Sequence, residues 1–311
     1  MKSALFFAGI PVIFLHMFTA HTSSARCASC DPGPTWSSSQ LWQEKGIENH
    51  IERMRISSRM EGLEIEDRPL YAALYLGGVY DTHIGLTTER GEFDKDDMGF
   101  SLKADIGYQF PFKGNFGFRT DYSGYIDIHG GFLDIQEHHF SIEPQYAKGR
   151  FIVSLLLGVT SKLEEGQRDA DMMSISPFVT YVTNTGTGAA ALYGSYAQIK
   201  DKDSDLMLDE DGTSHSVGFS YIHFFRKLNS ARFSIDYSNT DYNASVGDYG
   251  IEPDLYDNRK DRMLTSSLNM RLQSTKNFAY YVTYYFIHSD SNVEIYDYNR
   301  QILKAGIIFS N

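Results

Sequence analysis

Four short stretches of this 311-residue sequence carry residue types that could do chemistry. In DKDSDLMLDEDG, residues 201–212, Asp201, Asp203 and Asp205 alternate like the oxygen ligands of an EF-hand loop, but Leu206 and Gly212 stand where that loop needs Gly and Glu. The stretch reads as a solvated acidic loop, with a weak divalent site between surface loops as the sharper alternative. EHHFS supplies Glu137, His138, His139 and Ser141, and SHS supplies Ser214, His215 and Ser216. A Ser or Thr nucleophile needs a base within hydrogen-bond reach and a third group to orient it, and neither stretch specifies one. Neighbouring His138 and His139 point to opposite faces of a strand, so they do not share a metal ion. RCASCD holds both cysteines, Cys27 and Cys30: an oxidising compartment would close them into a small disulfide, or they are incidental. Asp31 stands where a haem-attachment pattern needs His. The chain is therefore expected to be no enzyme, with no cofactor and no metal site.

The elements that must position these residues read as strands. The chain has 21 Tyr, 21 Phe, 2 Trp and 26 Gly, and its mean hydropathy is negative, a mixture expected when apolar and polar residues alternate. Twelve period-2 segments can be marked: 71–82, 98–109, 115–126, 137–147, 150–162, 172–183, 188–200, 213–225, 230–242, 262–273, 277–289 and 299–309. Each has the ~9–11 residues, or slightly more, of a tilted strand crossing a bilayer. The connections alternate: PFKGN, AKGR, NTGT, RKLN and STKN are short, whereas the intervening ones, such as KLEEGQRDAD and SVGDYGIEPDLYDNRKD, are mostly longer and acidic. Short turns on one side and long loops on the other are the arrangement of outer-membrane barrels.

Sidedness agrees. Phe151, Val153, Leu155, Leu157 and Val159 share one face of their segment, as do Phe100, Leu102, Ala104, Ile106, Tyr108 and Phe110 of another, and these are expected to face lipid. The opposite faces carry Lys103, Asp105, Arg119, Asp121, Glu143, Arg232, Asp236, Arg271 and Lys304, expected to line a wet lumen in mixed sign or to brace it as ion pairs. Phe110, Phe112, Phe116, Phe224, Phe225, Phe278 and Tyr280 lie near segment ends, where aromatic girdles meet the membrane interfaces.

The N-terminus has Lys2, an apolar stretch from Ala4 to Phe18 and small residues at Ser23 and Ala25, which reads as a secretory signal over 1–25. Residues 26–69 read as a periplasmic linker with one amphipathic helix from about Ser38 to Met60, its apolar positions Leu41, Ile47, Ile51 and Met54. That helix could dock on the periplasmic rim, plug the barrel or act as a simple link. Residues 70–311 read as the barrel. The net charge of −12 argues against nucleic acid, whose binders need a basic face.

Two stretches carry a resemblance. GGVYDTHIGL (77–86) with EFDKDDMGFSLKADIGYQFPF (92–112) resembles the first hairpin of the barrels of surface lipoprotein assembly modifiers and related tetratricopeptide-linked export proteins. Residues 257–309, with Ser291-Asn292 and Tyr296-Asp297-Tyr298-Asn299-Arg300, resemble their last three strands. His83 stands where that family usually has Asn, and residues 26–69 are too short for even two repeats of about 34 residues. The resemblance implies a general export-channel role. Phe309, near the end of the last segment, resembles the signal read by the barrel-assembly machinery, although Ser310 and Asn311 follow it.

The expectation is a twelve-stranded antiparallel transmembrane β-barrel of the outer membrane with a short N-terminal periplasmic helix. Its function is a channel or export pore passing a solute or secreted substrate, the runner-up being a structural or partner-docking barrel. Its expected partners are outer-membrane lipid, the barrel-assembly machinery and an envelope or secreted protein.

Overall fold

The computed structural model describes residues 70–82, 97–129, 135–164, 167–183, 187–201, 211–225, 229–242, 259–275, 277–292 and 298–310. The signal segment 1–25, the linker and helix of 26–69, Cys27, Cys30, His83 and loop residues 202–210 lie outside them.

Twelve strands follow one another: β1 (Leu70–Asp81), β2 (Asp97–Lys113), β3 (Phe116–His129), β4 (Ile135–Lys148), β5 (Phe151–Glu164), β6 (Gln167–Val182), β7 (Gly188–Asp201), β8 (Gly212–Phe225), β9 (Asn229–Tyr242), β10 (Lys260–Thr275), β11 (Phe278–Ser291) and β12 (Tyr298–Ser310). Each pairs antiparallel with its sequence neighbours, and β12 pairs with β1 to close the barrel. The seam runs from Ala73↔Ser310 to Asp81↔Ile302. Closure removes both edges, so the last strand leaves no row of open backbone groups.

All twelve expected segments are strands, with boundaries displaced by a few residues. The largest shifts are at β6, which begins at Gln167 rather than near 172, and β2, which runs on to Lys113. Only residues 165 and 166 separate β5 from β6, so KLEEGQRDAD is mostly strand and not a long loop. Its charges hid a pattern that ladder pairing sustains: Leu163↔Arg168 and Glu164↔Gln167 remain partners. Elsewhere the sorting of connections holds except between β3 and β4, where 130–134 is no longer than 183–187 between β6 and β7. On one side Gly114 and Gly149 take positive φ at the first central position of two-residue turns, a conformation open to glycine at little cost. Prolines sit where the ladder can spare an N–H: Pro111 falls in the register irregularity between Phe110 and Lys113, and Pro177 where the β6–β7 pairing skips from Ile175 to Phe178.

The outer face is apolar. Ile106, Phe140, Val153, Val159, Leu192, Val217, Phe233 and Leu268 are large, exposed and on the outward set of their strands, an arrangement water would penalise and lipid would not. Outward aromatics gather at the short-turn end, with ring pairs Phe116–Tyr146 (5.0 Å), Phe151–Tyr181 (5.2 Å) and Phe278–Phe309 (5.3 Å). Phe224 is the exception to the expected girdle: parity turns it inward, where it packs with Ile222, Phe178 and Leu156. We expect Val159→Arg, a charge near the middle of the lipid face, to cost about 2–4 kcal/mol. Urea unfolding of barrels refolded in lipid vesicles measures it.

Candidate functional site: the inner wall

Twelve strands spaced ~4.8 Å apart and tilted by ~40° enclose a cylinder of about 12 Å radius at the backbone. All nine residues expected on the inner face are placed there, and seven of them are buried, with Lys103 and Lys304 partly so. They fall into two groups. Lys103 and Asp105 on β2, Arg119 and Asp121 on β3, Glu143 on β4 and Lys304 on β12 form one charged arc, whereas Arg232 and Asp236 on β9 and Arg271 on β10 stand apart from it.

Within the arc every charge has a partner. Lys103 Nζ lies 3.2 Å from Asp105 Oδ2 and 5.0 Å from the centre of the Tyr75 ring, and Ser123 Oγ donates to Asp105 at 2.6 Å. Arg119 donates to Asp121 at 2.8 Å and its other arm lies 3.1 Å from Glu143. These pairs follow from register: Arg119↔Glu143 are directly opposite, and Arg119 and Asp121 are two apart on one strand, hence on one face.

Lys304 makes the longest connection. Its Nζ donates to Tyr125 Oη and to Asp127 Oδ2, the latter at 3.3 Å, although β1 and β2 lie between β12 and β3. Tyr125, Asp127, Asp81 and Arg300 belong to the same arc and escaped the sequence reading. Asp127 lies one residue beyond the 115–126 segment, and Arg300, which binds Asp81 through Nε and Nη2 at 2.6–3.1 Å, stands between Asn299 and Gln301, where alternation marks no face. Farther along the same end of the barrel, Arg259 Nη2 donates to Asp261 at 2.8 Å and its guanidinium covers the Tyr242 ring at 3.9 Å. Extending the alternation of β3 to residue 129 would have found Asp127.

The opposite arc holds two apolar clusters among inward serines and threonines such as Ser154, Ser176 and Thr180. Leu156, Phe178, Ala189, Ala191, Tyr193, Ile222 and Phe224 form one cluster on β5–β8, and Met172, Ala197, Ile199 and Tyr242 a second towards the long-loop end. Tyrosines strap neighbouring strands across glycines. The Tyr193 ring lies over Gly218 and its hydroxyl donates to Asp236 on the next strand, and Tyr281 crosses Gly306 to reach Gly77 over the seam.

The histidines separate as parity requires. His138 is outward and bonded to Tyr122 Oη at 2.8 Å, while His139 is inward with Nδ1 2.8 Å from Thr160 Oγ1. Thr160 is only 1% exposed, and the pair ties β4 to β5. His215 is outward, against the Tyr196 ring.

No protein-family model matches the chain, and no curated protein matches it by sequence. Solved structures do. An outer membrane channel from Pseudomonas putida F1 superposes with a TM-score of 0.51 at 9% identity, over 80% of this chain and 100% of that one. The chain has the fold of the outer-membrane β-barrels. The translocator domain of the autotransporter NalP from Neisseria meningitidis (TM-score 0.42, 10% identity, 86% of this chain and 97% of that one) and an anion-selective porin from Comamonas acidovorans (0.41, 8%, 78% and 98%) are also similar. At these identities the likeness is one of fold.

Proposed function

We propose that this barrel is a channel, and that Lys103, Asp105, Arg119, Asp121, Glu143, Arg232, Asp236, Arg271 and Lys304 line the path of a solute or secreted substrate. The observation that carries this reading is the concentration of charge on the inner face of a closed barrel whose outer face is apolar. A barrel serving only as an anchor gains nothing from burying charge along its axis, since burial of an ion carries a desolvation cost. Transport is the plainer use for it. The resemblance of residues 77–112 and 257–309 to assembly-modifier barrels adds export as its specific form.

Signs along the wall are balanced. Among the described residues the inward Lys103, Arg119, Lys162, Arg232, Arg259, Arg271, Arg300 and Lys304 are matched by Asp81, Asp105, Asp121, Asp127, Glu137, Glu143, Asp236 and Asp261. These sixteen charges cancel, so this part of the wall sets up little field along the axis and we expect weak ion selectivity. In planar bilayers with asymmetric KCl, the full-length protein should give steady conductance with a reversal potential near zero. Lys103→Glu should move that potential towards cation preference. A strongly selective wild type, or a Lys103→Glu channel with an unchanged potential, would remove these residues from the path.

One observation favours the runner-up, a scaffold that docks envelope partners without conducting: the inward charges are covered, Glu143 at 0% and Lys162 at 1% exposure. Lasting silence in the bilayer would move the function to that reading.

A further inference from the structure

Charge is sorted between the two rims of the barrel. In a chain with 40 acidic and 28 basic residues, the five short connections PFKGN, AKGR, NTGT, RKLN and STKN carry Lys or Arg in four cases and Asp or Glu in none. The stretches 108–118, 144–153 and 178–192, at the short-turn ends of β2–β7, hold no acidic residue. The cations that stand there are placed by register. Lys113 is opposite Phe116 and Phe116 opposite Tyr146, so one ammonium and two rings lie in a row across β2, β3 and β4. The arrangement repeats one hairpin on: Lys148 is opposite Phe151 and Phe151 opposite Tyr181, across β4, β5 and β6. Direct partners share one face of a sheet, and the rings show which face this is, since Phe116 is 67% exposed and Phe151 53% on the outer side. Lys113, Lys148 and Arg150 are exposed as well. Tyr146 and Lys148, two apart on β4, join the two rows into one patch. Asn115 Nδ2 donates to Tyr146 Oη at 3.4 Å, which sets that hydroxyl level with the turn.

We propose that this patch holds the headgroups of anionic glycerophospholipids in the periplasmic leaflet, with Lys113, Lys148 and Arg150 on phosphate and the ring pairs Phe116–Tyr146 and Phe151–Tyr181 against the glycerol and the upper acyl chain. Short turns are the periplasmic side of outer-membrane barrels, and outward aromatic girdles mark the depth at which hydrocarbon gives way to headgroups. A lysine at that depth lays its stem along apolar surface and carries its ammonium out to the phosphate layer. At the opposite rim the outward cations already have carboxylates: Lys260 lies 3.8 Å from Asp241 and Arg262 3.8 Å from Asp290. At the short-turn ends of β2–β6 the sequence supplies no such anion, and the complement must come from outside the chain. An acidic protein docking from the periplasm would meet cations on the turns themselves, but gains nothing from two lysines set in line with lipid-facing rings. Lipid is therefore the occupant that the placement fits. The inference rests on the barrel and its lipid face, and not on whether the lumen conducts.

The test uses the full chain with Trp36→Phe and Trp42→Phe, so that a single introduced tryptophan reports its own lipid neighbours. Phe151→Trp reads the patch, and Val217→Trp, on the outward face of β8 towards the long loops, is the reference. Barrels are refolded in phosphatidylcholine vesicles that contain a minor fraction of phosphatidylglycerol brominated on its acyl chains, and folding is verified by heat-modifiable gel mobility. At low salt, quenching of the Phe151→Trp reporter should correspond to a preference for phosphatidylglycerol of about fivefold for each cation within reach, whereas the Val217→Trp reporter should show random mixing. Lys148→Gln with Arg150→Gln should bring the Phe151→Trp reporter down to random mixing. Lys148→Arg with Arg150→Lys, which keeps both charges, should retain the preference and so separates loss of charge from a disturbed fold. No preference in the folded parent, which is what a protein-docking role would give, overturns the proposal. So does a preference that outlasts the Gln substitutions, or one that is equal at the Val217→Trp reporter.

Discussion

Gly306→Ala is expected to lower the unfolding free energy of the barrel by about 3 kcal/mol, at the upper end of what overpacking costs. Gly306 is the middle of a row in which Tyr281 on β11, Gly306 on β12 and Gly77 on β1 are paired neighbours across the seam. A methyl group there would overlap the Leu76 carbonyl and approach Gly77 Cα at 2.6 Å, and these are backbone atoms that cannot turn aside. Relief requires β1 and β12 to part. That pairing alone joins the first strand to the last, so the loss falls on closure itself. Slower folding should accompany the lower stability. Urea titration of barrels refolded in vesicles, with folded and unfolded bands separated on unheated gels, reads both. Gly194→Ala is the control: its nearest neighbour would be the Ser216 carbonyl at 3.6 Å, ordinary contact, so its change should be slight.

Arg119→Leu should cost about 3–5 kcal/mol, because it removes the cation between two carboxylates that burial keeps from water. Asp121 Oδ2 is 2.8 Å from Arg119 Nε and Glu143 Oε2 is 3.1 Å from Nη2, with side-chain exposures of 3% and 0%. Without the guanidinium, two like charges would share one stretch of the wall. The energetic argument turns on pairing rather than on Arg119 as such: the triple variant Arg119→Leu, Asp121→Asn, Glu143→Gln should recover most of the loss, since no buried ion is left uncompensated. Equal instability of the single and triple variants in urea would show that packing, and not charge, holds this site.

Much of the architecture was legible because the strand period is short and local. Phe151, Val153, Leu155, Leu157 and Val159 alternate with Ser154, Leu156, Gly158 and Thr160 without interruption, and the structure puts the first set outside and the second inside. The nine inward charges were found by that parity alone. Failures arose where the local pattern was diluted. The charged ends of β5 and β6 look like loop, Phe224 looks like girdle from its position near a strand end, Asp127 falls one residue beyond the 115–126 segment, and Arg300, inside 299–309, stands between Asn299 and Gln301, where alternation marks no face.

The sequence by itself determined the number of strands, their faces, the side of each connection and the residue types that meet lipid, because each depends on alternation between neighbours a few positions apart. Only the tertiary structure decided which inward residues meet. Lys304 reaching Tyr125 and Asp127, Tyr193 crossing Gly218 to Asp236, and Tyr281 crossing Gly306 to Gly77 depend on register between strands and on closure of β12 against β1. Backbone hydrogen bonds and the curvature of the whole wall fix those relations, and no stretch of sequence contains them.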